Sequence, residues 1–156
     1  QQVNVGFGAA HNKVIALAST PWVLVLNQDI ILEPNALEEL LAFTNDDSLA
    51  AIGPKLYRTQ ERKEIDTTGI EKTFYSKYQE RNDDVDRLVW GISGSCALYK
   101  KKALDQIAYD GKEYFDESFF MYKEDVDVAE RLHKSGWDAQ FASKAIGFEF
   151  ILEDEV

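Results

Sequence analysis

The sequence predicts an α/β fold, because short apolar runs of strand length alternate with amphipathic segments of helical length. The clearest strand is the continuous apolar run 22–26, which follows Pro21 and is typical of a buried parallel strand. A length of 156 residues with 45% hydrophobic residues suits one folded domain and argues against disorder. We therefore expect a single domain over residues 1–156, with helices packed on a mostly parallel mixed sheet.

The first half of the chain contains three further predicted elements around that strand. Residues 8–19 are predicted to form a helix with a broad apolar face. Asn35 is the predicted N-cap of the next helix, with Glu38 three residues later as a variant of the capping box. The inward residues of this helix are predicted to be Leu37, Leu40 and Leu41. Residues 50–53 are predicted as the following strand.

The second half begins with a polar, irregular stretch over 57–87, with short strands predicted near Ile65 and Phe74. Residues 88–99 are predicted as a strand that Gly91 and Gly94 interrupt. The remaining predictions are helices over 101–107 and from Asp125 onward, and strands near Gln140 and Ile146.

Composition excludes several classes of function. A net charge of −11 without a basic stripe predicts no nucleic-acid partner. The longest cationic run, 100–102, is interpreted as the polar start of a helix. The single cysteine, Cys96, has no internal partner and fits a reducing, cytoplasmic compartment. No apolar run approaches the ~20 residues that a membrane-spanning helix needs, so no transmembrane segment is predicted.

The acidic and aromatic run 115–127 contains the first candidate for catalysis. If a helix begins at Asp125, this residue lies on the same helical face as three apolar residues, Val128, Ala129 and Leu132. Glu124 and Asp127 fall on the opposite, solvated side. An inward carboxylate needs a partner or a task, which makes Asp125 a candidate general base. The alternative is that acidic residues simply complement the dipole at a helix N-terminus.

The segment Asn27-Gln28-Asp29 follows the apolar strand, at the end where ligands bind in open α/β sheets. Its aspartate is a hard oxygen ligand of the kind that Mg²⁺ or Mn²⁺ prefers. A plain strand-ending turn is the alternative interpretation. Other motifs are excluded: His11 replaces the third glycine of a dinucleotide fingerprint, and Met121 replaces the glycine of an EF-hand loop that would begin at Asp116.

Four motifs occur along the chain in a specific order and spacing. They are N-x-G-F-G-x-A-x-N over 4–12, L-N-Q-D over 26–29, S-G-S over 93–95 and the acidic-aromatic run 115–127. Together they resemble the family 2 glycosyltransferases, in particular the rhamnosyltransferase-like branch that builds bacterial surface polysaccharides. The resemblance extends from Asn4 to about Phe148.

The resemblance implies the GT-A fold, with a nucleotide- and metal-binding part over about 1–56 and an acceptor and catalytic-base part over 57–156. It implies Asp125 as the catalytic base and Asp29 as the ligand of Mn²⁺ or Mg²⁺. The donor contacts that it implies are Asn4, Gly6, Asn12, Asn27, Asp29, Gly94 and Ser95. On the acceptor side we expect Glu124 and Tyr122.

The implied reaction moves a sugar from a nucleoside-diphosphate sugar to a hydroxyl of a saccharide or lipid-linked acceptor, with inversion. A divalent cation stabilises the leaving diphosphate, while a base on the opposite face activates the hydroxyl. The implied location is cytoplasmic, with peripheral association of the parent protein at the inner face of the membrane as an option.

The chain departs from the family pattern in three places. Val14 stands where glycine is common, and Glu149 stands near the position of a metal-site histidine, so Glu149 is the second predicted metal ligand. The chain starts at Gln1 inside a glycine-rich segment, and we expect a piece of a longer protein whose first βαβ unit is missing here. These departures keep a second hypothesis open, a noncatalytic transferase-like module that binds glycans or a partner.

Overall fold

The computed structural model describes residues 5–62, 64–72, 78–79, 84–119 and 123–149. Its helices are α1 Phe7–Ile15, α2 Ala36–Leu41, α3 Lys101–Ile107 and α4 Glu124–Lys134. Its strands are β1 Trp22–Leu26, β2 Ile30–Leu32, β3 Leu49–Tyr57, β4 Ile65–Thr67, β5 Glu71–Lys72, β6 Tyr78–Gln79, β7 Arg87–Val89, β8 Cys96–Lys100 and β9 Asp138–Glu149. None of the helices in these ranges is long and apolar enough to cross a membrane.

The main sheet has the strand order β1-β8-β3-β9-β2, with β4 beside β3 and β7 beside β9. Strand β9 is its longest member and lies in its interior. One side of β9 pairs with β3, while its other side pairs with β7 at the start and with β2 at the end. Strands β5 and β6 form a separate two-stranded sheet.

The predicted mixed α/β sheet is present, but the prediction that it is mostly parallel is wrong for the described strands. Only β3 and β9 pair in parallel. Strand β1 pairs antiparallel with β8, with Trp22 opposite Lys100 and Leu26 opposite Cys96. A continuous apolar run reports contact on both faces of a strand, and it does not reveal the direction of the neighbouring strand.

The two faces of the sheet carry different helices. Tyr99 packs in one apolar cluster with residues of α1, α3 and α4, whereas its neighbour Leu98 packs in a second cluster with Leu40 of α2. Successive side chains of a strand point to opposite faces, so adjacent residues of β8 contribute to two cores. The domain therefore has three layers, with three helices on one face of the sheet and α2 on the other.

Helix α3 has the predicted bounds, and α4 begins one residue before the predicted start. Helix α1 ends at Ile15 instead of Ser19. Its buried residues, Gly8, Asn12 and Ile15, form one stripe that includes a polar side chain, so Val14 lies exposed. The predicted strand near Phe74 falls outside the described residues, and the three-residue β2 was not predicted.

The prediction of which residues of α2 face inward is partly wrong. Its six residues bury Ala36 and Leu40, one turn apart, while Leu37 and Leu41 are exposed. Less than two helical turns contact the sheet, so only one i, i+4 stripe is covered. Asn35 takes the N-cap position, but its side chain makes no capping hydrogen bond.

Candidate active site

The turn 27–29 lies at the edge of the sheet where β1 ends and β8 begins. The Asn27 N–H donates a hydrogen bond of 2.9 Å to the carbonyl oxygen of Ser95. This bond continues the pairing of β1 with β8 by one residue beyond the strand ends. The loop 93–95 is therefore held directly beside the predicted metal-binding turn.

Asp29 has a buried carboxylate oxygen, Oδ1, that has no hydrogen-bond partner among the described residues. A buried carboxylate oxygen without a partner is costly, because it has lost its water without gaining a donor. Such an atom is suited to a cation. The fit of a divalent ion at this turn rests on this oxygen and on a carboxyl group that interacts electrostatically with Asp29.

That carboxyl group belongs to Glu149, which pairs with Ile30, the residue that directly follows Asp29. Burial raises the pKa of the Glu149 carboxyl, and the charges of Asp66 and Asp29 raise it further. No motif pointed to Asp66, which sequence reasoning missed. Within the described ranges, no three His, Cys, Asp or Glu side chains are close enough to enclose a metal ion by themselves. Two carboxylates are a usual protein contribution where Mg²⁺ also binds substrate phosphates and water.

The carboxylate of Asp125 is oriented by two backbone groups at the start of α4. The Gly94 N–H donates to Oδ2 at 3.0 Å, and the Val126 N–H donates to Oδ1 at 2.8 Å. Two of the four lone-pair directions of the carboxylate are therefore used, and the others remain for a ligand. The side chain is partly exposed, as a group that receives a proton from a substrate must be.

Gly94 is the point at which three parts of the site meet. A Cβ atom there would lie 3.4 Å from the Cβ of Asp125, 3.6 Å from the ring of Phe7 and 3.7 Å from Oε1 of Glu124. Two adjacent residues of one loop make these hydrogen bonds: Gly94 to Asp125, and Ser95 to Asn27. The loop 93–95 therefore connects the predicted metal-binding turn to the start of α4.

The structure contradicts the prediction that Glu124 lies on the solvated side of α4. It is only 8% exposed, and its Oε2 is buried without a hydrogen-bond partner in the described part of the chain. Burial raises the pKa of the Glu124 carboxyl, and the charge of Asp125 raises it further. The helical periodicity identified the face of α4 that meets the sheet, but the loop 93–95 covers the first turn from another side.

We expect Glu124→Gln to stabilise the fold at pH 7 by about 1–2 kcal/mol, since it removes a buried, unsatisfied charge. A carboxyl whose pKa is raised in the folded state contributes stability below its ordinary pKa and loses it as pH rises through the raised value. The stability that Glu124→Gln gains over the native protein should therefore be near zero at pH 4 and increase towards pH 7. Thermal unfolding at both pH values measures it.

The control is Glu130→Gln on the same helix, because ion pairs with Lys72 and Lys134 lower the pKa of Glu130. This variant should show no gain at pH 7. Equal melting temperatures of the native protein and Glu124→Gln at pH 7 would show that Glu124 finds a partner in solution.

Asn12 stays a predicted donor contact, although its side chain is already hydrogen-bonded within the fold. Its buried amide Nδ2 donates to the Phe115 carbonyl oxygen at 2.8 Å and to the Glu117 carboxylate at 3.1 Å. Its Oδ1 accepts from the N–H groups of Tyr114 and Phe115 at 3.0 and 2.9 Å. Both amide hydrogens and both lone pairs are used, so the side chain fastens the segment 114–117 to α1.

We expect Asn12→Ala to destabilise the fold by about 2–4 kcal/mol, because two buried N–H groups and a carbonyl lose their partner. Chemical denaturation measures this loss. Asn45→Ala, at an exposed position, is the matched control and should change stability by less than about 0.5 kcal/mol. Weaker donor binding without any loss of stability would instead support the direct contact.

The other predicted site residues have simpler outcomes. Gly6 is the N-cap of α1 with φ 84°, a left-handed backbone conformation that favours glycine. The Ser95 hydroxyl lies 3.4 Å from that of Ser93. Asn4 and Tyr122 lie outside the described residues.

The sequence did not predict that the side chains of Phe7 and His11 lie beside the predicted metal-binding turn. An open cleft of ≈ 400 Å³ is lined by Phe7, His11, Leu26, Asn27, Gln28 and Asp29. The signal for this contact was present in the first motif, but the periodicity of α1 pointed to its apolar residues and not to His11.

The model of glycosyl transferase family 2 matches residues 1–108. Two curated relatives, both N-acetylglucosaminyl-diphospho-decaprenol L-rhamnosyltransferases from strains of Mycobacterium tuberculosis, are 30% identical over 172 residues. The match covers 91% of this chain and 54% of the relatives, so the chain spans about half of their length.

Solved structures establish the fold. A crystal structure of GalNAc-T7 with UDP, GalNAc and Mn²⁺ is similar over 97% of this chain and 31% of its own, with a TM-score of 0.74 and 10% identity. The structure of A197 from STIV covers 92% of this chain and 65% of its own, with a TM-score of 0.61 and 15% identity. The predicted GT-A fold is thereby confirmed.

The assignment of this chain to a family rests on the two sequence matches together. The family model covers more than two thirds of the chain, and a match over 91% of the chain necessarily extends past residue 108. We conclude that this protein belongs to glycosyl transferase family 2, and that it resembles the rhamnosyltransferases of that family.

Proposed function

We propose that this protein is the catalytic part of an inverting glycosyltransferase, which moves a sugar from a nucleoside diphosphate to a hydroxyl of a saccharide or lipid-linked acceptor. One observation carries the proposal. Two adjacent residues of one loop are hydrogen-bonded to the two parts of the site. Ser95 is bonded to the turn that contains Asp29, and Gly94 is bonded to Asp125. A metal ligand and a separate base at one edge of a sheet are what such a reaction requires.

In this proposal Asp29 and Glu149 hold Mn²⁺ or Mg²⁺. The unpartnered oxygen of Asp29 and the raised pKa of the Glu149 carboxyl support it, because a cation would relieve both the missing partner and the repulsion. When bound, the cation neutralises charge on the diphosphate leaving group. The GalNAc-T7 structure contains Mn²⁺ and UDP, which supports divalent metal use in a related fold.

Asp125 acts in this proposal as the base. Its two backbone hydrogen bonds hold the carboxylate so that a free lone pair can accept the proton of an acceptor hydroxyl. The oxygen of that hydroxyl then attacks the anomeric carbon opposite the departing diphosphate, and the anomeric centre inverts. Glu124 and Tyr122 belong to the acceptor side of the proposal.

The donor side is proposed to use Asn4, Gly6, Asn27, Gly94 and Ser95. Asn12 supports this side indirectly, by fastening the segment that precedes α4. The two-part organisation, 1–56 for donor and metal and 57–156 for acceptor and base, also belongs to the proposal. Strand β9 crosses this division, because Glu149 returns to the edge of the first part.

The names of the mycobacterial relatives describe rhamnosyl transfer to a polyprenol-linked amino sugar. We infer a donor and an acceptor of the same classes for the parent protein, within bacterial polysaccharide synthesis. A lipid-linked acceptor would place the reaction at the inner, cytoplasmic face of a membrane.

A noncatalytic, glycan- or partner-binding module is the second candidate. The observation that favours it is the carboxylate Glu149 near a position where the family often has a metal-site histidine. Such a module would not need metal-dependent binding of a nucleoside diphosphate.

Isothermal titration of this chain and of the parent protein with UDP, GDP and thymidine diphosphate separates the two candidates. The transferase proposal expects binding of at least one nucleotide that depends on Mn²⁺, followed by transfer when the parent is screened with nucleotide sugars. Absence of metal-dependent binding in the parent would favour the noncatalytic module.

A further inference from the structure

The imidazole of His11 lies in the cleft beside the metal-binding turn, and the proposed mechanism does not use it. We propose that His11 contacts the diphosphate of the donor through Nε2 and stabilises the negative charge that develops on this leaving group. The inference rests on the proposed transferase function, and it adds a catalytic side chain from α1.

The hydrogen bonding of the ring fixes which nitrogen faces the cleft. Nδ1 lies 2.9 Å from the carbonyl oxygen of Phe7. A carbonyl oxygen only accepts hydrogen bonds, so Nδ1 carries a hydrogen and donates it. Nε2 has no hydrogen-bond partner within the described part of the chain, and it is the ring nitrogen that remains for a ligand.

Aromatic contacts hold the ring in one orientation. The ring of Phe7 lies 4.0 Å from that of His11, centroid to centroid, and the ring of Phe115 lies 6.0 Å away and edge-on. The two phenylalanines also contact each other at 5.5 Å. A group that is fixed before the ligand arrives stabilises developing charge without reorganisation, which is the general requirement for electrostatic catalysis.

The charge of the cleft gives His11 a specific task. Of the described residues that line it, only His11 has a basic side chain, whereas Asp29 is acidic and the other four have no ionisable side chain. A diphosphate needs positive charge beyond a single divalent ion. An imidazolium N–H can donate a charge-assisted hydrogen bond to a phosphate oxygen.

Two carboxyl groups face this imidazole from neighbouring elements. Asp29 lines the same cleft, and Glu124 of α4 interacts electrostatically with His11. His11 thus lies between the metal-binding turn and the start of α4.

The test uses the fact that the chain has two histidines. His133 lies exposed on α4, and it is the internal control. Imidazole ¹⁵N spectra are recorded for the free chain, with Mg²⁺ alone, and with Mg²⁺ plus UDP, GDP, thymidine diphosphate or inorganic pyrophosphate. We expect the Nε2 signal of His11 to move to the protonated N–H value with diphosphate and Mg²⁺ only, while His133 stays unchanged.

Two variants give the matching affinities. His11→Phe keeps the ring packing and removes Nε2, and it should weaken binding of the diphosphate and Mg²⁺ about 10- to 100-fold. His11→Gln should recover part of this loss, because its amide can still donate. His133→Gln should bind like the native chain, and melting temperatures show that all variants are folded.

The outcomes separate this inference from the proposed function. Native affinity in a folded His11→Phe variant, or an unchanged Nε2 signal in the bound state, overturns the role of His11 and leaves the transferase proposal intact. A response of Nε2 to Mg²⁺ alone also overturns it, since His11 would then be a metal ligand. No binding of any diphosphate by either the chain or the parent counts against both.

Discussion

Replacement of Asp125 by Asn should lower kcat for sugar transfer by about 10²- to 10⁴-fold, the usual contribution of a general base. The amide oxygen of Asn can still accept the hydrogen bond from Gly94, at the cost of the bond from the adjacent Val126 N–H, so the loop 93–95 should keep its position. Donor affinity should therefore stay within about 2-fold of the native value. Transfer rates of the parent protein, with the donor found by the nucleotide-sugar screen, and titration with the matching nucleotide measure both quantities.

Asp127→Asn on the same helix is the matched control. The Asp127 carboxylate pairs with Arg131 at 2.6 Å and has no contact with Gly94 in the described structure. Transfer by this variant should remain within a few-fold of native. Asp125 is not the base if Asp125→Asn transfers sugar at the native rate.

Replacement of Asp29 by Asn should weaken metal-dependent binding of the nucleoside diphosphate on the order of 10²- to 10³-fold, since a ligating carboxylate is lost. Without metal the same variant should be at least as stable as the native chain. The charge of Asp29 helps to raise the pKa of the Glu149 carboxyl, so its removal relieves repulsion at this edge of the sheet. Weaker binding together with an unchanged or higher melting temperature excludes misfolding as the cause.

Asp66→Asn is the control, because Asp66 also raises the pKa of the Glu149 carboxyl, through its charge and a side-chain hydrogen bond, but is not a proposed ligand. This variant weakens the ion pair with Arg58, so the comparison uses its metal-dependent affinity, which should stay near the native value. Titrations of both variants with nucleotide, with and without Mn²⁺, decide the comparison. Native affinity in Asp29→Asn would move the metal site away from the turn 27–29.

The elements that the sequence predicts well are those whose signals are local. Helix α3 has its predicted bounds, and the apolar run 22–26 is a strand. The direction of pairing in the sheet was predicted wrongly, because it depends on which strands become neighbours and not on the residues within a strand. The position of Glu124 was wrong for a related reason, since a distant loop covers the first turn of α4.

The residues of the candidate site could be predicted from the sequence only where they belong to one of the motifs. Motif order predicted Asp29, Gly94 and Asp125, and the structure places a hydrogen bond between the last two. It also predicted Asn12 as a donor contact, although this amide is fully used in fastening the segment 114–117. Motifs record which residues recur in a family, but they do not separate contact with a ligand from support of the fold.

The interior position of β9 has a consequence for how the chain folds during synthesis. Strand β9 joins β3 to β2 and β7, and its parallel pairing with β3 connects residues about 90 positions apart. Pairing over such separations is slow, and a ribosome releases the N-terminal elements first. One hydrogen-bonding edge of β3 therefore stays unpaired until β9, the last described strand, has been synthesised, and an unpaired strand edge makes a nascent chain prone to aggregation.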